Sequence, residues 1–246
     1  MGRRAGASTR QMAASRRRTA TWFLLLGLLV AVGILAISLD TRLVAAIGLP
    51  GFLALLLLTR LIGNVAGEGI DRQLKRARQA ERGARAEEDV SRVLERLAAQ
   101  QPMLIFHDVA TGHGNIDHVV LTPHGVFVLE TKSHHGRVEV AGERLLLNGK
   151  PPEKDFIAQA LGNAYWLKNH LRKLIGVEVW VNALIVFTHA FVPRPYRIKG
   201  VRVVNVRFLP DIIAQGGGQN AAAAWEKREV LRASFEGDED YISGTA

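Results

Sequence analysis

Apolar positions along this chain follow three periods in turn. Residues 21–39, TWFLLLGLLVAVGILAISL, carry no charge, and a second apolar run at 43–58 contains Pro50-Gly51. A helix crossing a bilayer core needs ~20 apolar residues. The first run has that length. The second reaches it by continuing past Arg60, whose long stem lets its charge reach the interface. Residues 67–99 are charged and contain no proline, and Val90, Val93, Leu94 and Leu97 recur at helical spacing. Strand-like runs follow at 103–106, 116–121 and 126–132, with short ones near 138–140 and 145–147. Residues 156–175 predict a second amphipathic helix, with Ile157, Ala160, Leu161, Ala164 and Leu167 on one side. Residues 181–187 read as a buried strand, 201–208 as another, and 220–235 as a last helix. Mixed strands and helices over this length predict one α/β (α+β) domain preceded by two transmembrane helices.

Charge sets the orientation of those helices. Arg3, Arg4, Arg10 and Arg16, Arg17 and Arg18 precede the first run with no acid among them. The connection holds only Arg42, and basic residues return from Arg60 to Arg85. Lys/Arg-rich flanks stay cytoplasmic, so both termini are expected inside, with a short outside turn. Backbone groups in lipid must bond internally, which favours a helical hairpin. A cleaved signal peptide is the alternative, but its apolar core is only ~7–15 residues. Much of the net charge of +9 belongs to these flanks, where topology and anionic headgroups account for it. Lys168, Arg172, Lys173, Arg194, Arg197, Lys199 and Arg202 are scattered over the soluble part, as a solvated face or one that meets phosphate. The chain has no cysteine, which suits a cytoplasmic protein.

The stretch HGNIDHVVLTPHGVFVLETK, residues 113–132, holds the candidate chemistry. Thr122-Pro123-His124-Gly125 signals a turn between two strands. With the hairpin symmetric about Pro123-His124, Leu121 meets Val126, Val119 meets Val128 and Asp117 meets Glu130. Opposed residues share a face with Cβ atoms ~4.5–5.5 Å apart. Alternation puts Lys132 on that face as well. Two half-buried carboxylates repel, and a shared proton, the lysine or a metal ion must offset this. Mg²⁺ takes oxygen ligands and commonly uses one or two carboxylates with substrate phosphate. A lysine beside it could orient or deprotonate water and stabilise developing charge. The plainer reading is a surface strand pair with an incidental ion contact. Six of the eight histidines lie between His107 and His135, and imidazole suits Zn²⁺. His118 points away from Asp117, however, and His113, His124 and His134 fall in loops. Scattered histidines are therefore expected rather than a zinc cluster.

The segment FHDVATGHGNIDHVVLTPHGVFVLETKSHHGRV resembles the core of the nuclease-related domain (NERD), a branch of the PD-(D/E)XK nuclease superfamily. Ile116-Asp117-His118, Gly125-Val126-Phe127-Val128, Glu130-Thr131-Lys132 and Gly136 carry the likeness. Upstream, Gly83 and Glu87 match a helix opening that has a second glycine where Ala86 stands here; downstream, Gln159-Ala160 matches, with Asn163 one turn on. The resemblance implies a restriction-endonuclease-like mixed central sheet flanked by helices. It implies that Asp117 and Glu130 bind Mg²⁺ (or Mn²⁺), with the Thr131 carbonyl as a further ligand. Lys132 would position or activate water, Glu87 would reach the site from the first helix through a metal-bound water, and Gln159 would orient water, Lys132 or substrate. Taken alone, Glu87 is also an acid favoured at a helix N-terminus, and Gln159 a solvent-facing helix residue.

The organisation expected is a basic cytoplasmic N-terminus (1–20), a transmembrane hairpin (21–66), a charged helical linker (67–82), the nuclease-like domain (83–235) and a polar tail (236–246). The expected function is a membrane-anchored, divalent-metal-dependent nuclease. It would act on DNA, with RNA second, without sequence-specific readout. Its expected place is the cytoplasmic face of a bacterial-type inner membrane, with the lipid bilayer and nucleic acid as partners. The alternatives are a catalytically idle module that binds nucleic acid or protein, and a membrane protein whose cytoplasmic domain is only a scaffold.

Overall fold

The computed structural model describes residues 5–39, 41–112 and 114–237, and only part of the side chains in its two N-terminal helices. The chain divides into two compact units, residues 9–81 and residues 82–246 with 1–8.

The first unit is helical. Helix α1 runs Ala7–Leu39 and α2 runs Thr41–Ala98. Inside α2, Gly48 takes φ 61°, ψ 177° and Pro50 follows. Glycine accepts that conformation without a Cβ clash, and proline suits the first turn of the helix that resumes. Ala13, Ala20 and Ala77 are buried, and Arg17 pairs with Glu81. Trp22, Leu24, Leu25, Leu26, Leu28 and Leu29 are exposed. Among the described residues no helix is long and apolar enough to cross a membrane, so the expected hairpin at 21–66 is not borne out there. Asp40, in the expected outside turn, and many side chains of both apolar runs lie outside the described residues. Residues 67–82, expected as a charged helical linker, are continuous helix within α2.

The second unit is built on a six-stranded mixed sheet. Its strands are β1 (Leu104–Ala110), β2 (Asn115–Thr122), β3 (Gly125–Lys132), β6 (Val181–Phe187), β7 (Tyr196–Ile198) and β8 (Val201–Asn205), ordered β1-β2-β3-β6-β8-β7. β3–β6 and β6–β8 pair in parallel and the others antiparallel. A separate hairpin joins β4 (Val138–Ala141) to β5 (Arg144–Leu147). Helix α3 (Phe156–Ile175) covers one face, its Ala160, Leu167 and Leu171 clustering with Val119, Val126, Val128 and Ile185. Val90 and Leu94 of α2 cover the other, clustering with Val120, Phe127, Leu129 and Leu184. The central strands are thus buried on both faces, which is why β3 and β6 read as near-continuous apolar runs. Each large side chain buried here contributes ~1.5–3 kcal/mol.

Several boundaries differ from those expected. β1 extends to Ala110 because His107 and Asp108, polar in sequence, are held inside the sheet. The strand expected at 201–208 stops at Asn205, whose side chain accepts from the Arg207 N–H and starts a 3₁₀ turn at Val206–Phe208. Helix α4 (Leu209–Gln215), with Pro210 in its first turn, follows where none was predicted. The helix expected at 220–235 is two, α5 (Ala221–Glu226) and α6 (Arg228–Glu236), divided at Lys227 with φ −93°, ψ 17°. Most of the expected polar tail, from 238 on, lies outside the described residues.

Candidate active site

The β2–β3 hairpin has the register its turn predicts. Leu121 pairs with Val126 and Val119 with Val128, and the ladder reaches His118↔Leu129. One more step sets Asp117 opposite Glu130. The turn is held by the Thr122 hydroxyl, which donates to the Gly125 carbonyl at 3.1 Å and accepts from the His124 N–H at 3.3 Å. Gly125 is required by a close approach: a Cβ there would lie 2.7 Å from the Phe127 ring. Gly136, at φ +101°, is packed so that a Cβ would collide with the Asn148 carboxamide, which in turn accepts the Arg137 N–H at 2.8 Å.

Around Glu130 the expected residues converge. The Lys132 ammonium donates to Glu130 Oε1 at 2.6 Å and to Gln159 Oε1 at 3.1 Å, and Gln159 Nε2 donates to the same Glu130 oxygen at 2.6 Å. Asn163 Nδ2 donates to the other oxygen, Oε2, at 3.1 Å. Glu130 is 4% exposed, so these donors replace water it has lost. The Lys132 ammonium also sits 4.6 Å above the Phe156 ring, a further favourable cation contact. Gln159 and Asn163 present the same face of α3 because they are four residues apart. Asn163 and Phe156 are therefore site residues that were legible beforehand only by their spacing.

Asp117 is partly buried, and its Oδ2 accepts the Thr131 N–H at 2.6 Å. Burial, then the charge of Glu130, then that of Glu87 push its carboxyl well above the usual range, against the Thr131 N–H and Lys132. Glu87, buried on α2, thus reaches the site electrostatically. What Thr131 is seen to offer Asp117 is its N–H, while its Oγ1 is buried with no partner among the described residues. Among the described residues no group of three His, Cys, Asp or Glu is arranged to hold a metal ion. Lys132, Gln159 and Asn163 hydrogen-bond to Glu130, and Thr131 to one oxygen of Asp117. The donor set itself suits a small hard cation, being carboxylate oxygen throughout, and the crowding on Asp117 is the repulsion such a cation would relieve.

Two features lay outside the expectation. Asp108, opposite Asp117 by extension of the β1–β2 register, is buried at φ +54° and accepts from Asn115 Nδ2 at 2.7 Å. Such a conformation in a buried non-glycine residue is often found at functional sites. His107 and His118, directly paired across β1 and β2, share a hydrogen bond between their Nδ1 atoms at 2.8 Å. His118 is fully buried, with Nε2 unpartnered among the described residues. Burial, then His107, lowers its pKa to about 3. His113 lies outside the described residues. The pair was legible only as two histidines in otherwise apolar alternation.

The His118 shift has a sign that can be tested. Its folded value lies below the unfolded one, so the stability it lends is complete above about pH 6.5 and is lost as pH falls toward 3. The loss is at most about 1.4 kcal/mol per pH unit. His118→Phe keeps the burial and removes the titration. Denaturant curves across that range should therefore be flatter for the variant; parallel curves would remove His118 as the source.

Neither the curated proteins nor the solved structures contain a match to the chain. A family model does match, and its span covers Glu87, the β2–β3 hairpin, Gln159 and all of β6: a nuclease-related domain, NERD, is found at residues 82–188.

Proposed function

We propose that this protein is a divalent-metal-dependent nuclease, hydrolysing phosphodiester bonds of DNA, with RNA as the alternative substrate. One observation carries the reading: a buried carboxylate, Glu130, meets an ammonium, Lys132, at 2.6 Å beside a second carboxylate crowded by charge, Asp117. Packing alone gives no reason to collect these groups. Asp117 and Glu130 would hold Mg²⁺ or Mn²⁺, with the Thr131 carbonyl as a further donor. Bound there, the cation would polarise the scissile phosphate and acidify water. Lys132 would orient the attacking water and offset charge developing on phosphate. Gln159 would fix Lys132 and that water, and Glu87 would reach the site through a bridging water.

A second reading, an idle module that binds nucleic acid or protein, is favoured by the saturation of Glu130 with hydrogen bonds. Incubation of the purified chain with Mg²⁺ or Mn²⁺ and single- or double-stranded DNA and RNA decides between them. Cleavage is expected; its absence with every substrate selects the idle module.

The proposed place of work is the cytoplasmic face of a bacterial-type inner membrane. Support comes from the apolar surface of α1, where Trp22 and Leu29 are 68% and 70% exposed. A helix apolar on every side is one that lipid or protein covers. The basic flanks predict both termini inside. A reporter fused after Ala246 should be active in the cytoplasm; activity on the far side would reverse the orientation.

A further inference from the structure

We infer that a cleft beside the candidate active site grips the nucleic-acid backbone at a phosphate other than the one attacked. The cleft has a volume of about 340 Å³ and is lined by Arg82, Arg85 and Arg92 of α2 together with Ser133, His135 and His189. The inference rests on the nuclease reading above, since it names the strand's second point of attachment.

Position comes first. β3 and β6 are parallel neighbours at the sheet centre, and Ser133 and His189 lie just beyond their C-terminal ends. Open α/β sheets bind ligands in crevices at that end. Ser133 directly follows Lys132, and the Thr188 N–H donates to the Lys132 carbonyl at 3.1 Å. The cleft and the ammonium are thus tied to the same two strand ends. A strand whose phosphate lay beside Lys132 would continue into it.

The lining also has the chemistry of a phosphate site. Arg82, Arg85, Asp89 and Arg92 follow each other at three- and four-residue spacing, so they form one stripe of α2. Arg92 pairs with Asp89. Arg82 and Arg85 are exposed and have no ion-pair partner among the described residues. Glu88 lines the cleft as well, but three arginines against two acids leave it net positive. Guanidinium is donor-only, with a planar fork that matches two phosphate oxygens. The His135 and His189 rings lie 4.7 Å apart. His189 Nδ1 is engaged by the Thr188 hydroxyl at 2.8 Å, which leaves Nε2 for a ligand. No apolar side chain lines the space, so a base or a lipid tail would find no cover there.

The test uses the full chain and a short fluorescein-labelled oligothymidylate in EDTA, so that binding is read without cleavage. Arg82→Ala/Arg85→Ala should weaken binding about tenfold for each guanidinium removed and lower the log–log salt slope by about 1.4. Arg82→Lys/Arg85→Lys keeps the charge without the fork; it should restore the slope and only part of the affinity. Arg228→Ala/Arg232→Ala, the same charge loss on α6, should leave binding unchanged. If the wild type cuts DNA while the alanine pair binds as tightly and with the same slope, the cleft is overturned and the nuclease reading stands. An affinity loss in the alanine pair that Arg228→Ala/Arg232→Ala does not share, with no cleavage by wild type under Mg²⁺ or Mn²⁺, keeps the cleft as a backbone-binding site and overturns the nuclease. Absence of oligothymidylate binding by the wild type overturns the cleft, and the cleavage assay alone decides the nuclease reading.

Discussion

Lys132→Met should lower the rate of phosphodiester cleavage by about 10²–10⁴-fold, the range of one positioned proton-transfer or charge-stabilising group. Its effect on metal binding should run the other way. In the structure the Lys132 ammonium occupies one Glu130 oxygen, Oε1, and the substitution frees it of that charge, so the variant should bind Mg²⁺ or Mn²⁺ at least as well as wild type. Folding should show a third effect. Methionine keeps the side-chain length over Phe156 but leaves Glu130 buried with two amide donors and no cation. Removing one partner of a buried pair destabilises by about 3–5 kcal/mol; Lys132 keeps 11% of its side-chain surface exposed, which places the expectation at the lower end. Metal should then raise the melting temperature of the variant more than that of wild type. Unchanged cleavage, or metal affinity lost together with cleavage, would remove Lys132 from the proposed role.

That lysine also shows what the sequence makes legible. The turn Thr122–Gly125 has two central residues, so its centre fixes which residues of β2 and β3 face each other. Apolar content then decides which rungs lie inside. From these alone the face shared by Asp117, Glu130 and Lys132 follows, and the register agrees. Helix α3 is equally plain, since Asp155 caps it by accepting the Ala158 N–H and Gly176 ends it in the left-handed region. What escaped depends on neighbours distant in sequence. β7 has three residues, too few to show a period, and exists because β8 offers it an edge. The His107–His118 pair sits inside two strands, with one hydrogen bond between the Nδ1 atoms. Asn163 looks like any polar helix residue until Glu130 is known to lie beneath it. The N-terminal helices mark the opposite limit: their apolar runs are plain in sequence, yet a membrane span is not established among the described residues.

Asp117→Asn and Glu130→Gln should both weaken binding of Mg²⁺ or Mn²⁺, roughly tenfold or more, because each removes a formal charge from a hard-cation site. Their effects on the metal-free fold should have opposite signs. Burial and the charges of Glu130 and Glu87 raise the folded-state pKa of Asp117. The stability this lends is complete below the unfolded carboxylate value and is lost as pH rises through the folded one. In its ionised form Asp117 is thus a burden on the fold. Asparagine removes the charge and can still accept the Thr131 N–H, so Asp117→Asn should melt higher than wild type, with the gap closing in acid. Glu130→Gln instead deprives Lys132 of its anion and breaks the bonds from Gln159 and Asn163 that need two acceptor oxygens. It should melt lower, despite relieving Asp117 of the charge that crowds it most, because loss of a buried ion-pair partner outweighs relief of that repulsion. Calorimetry with metal titration on wild type and both variants measures the two effects separately. Equal metal affinity in all three would remove the proposed cation site, and stabilisation by Glu130→Gln would show that Lys132 does not need Glu130 to stay buried.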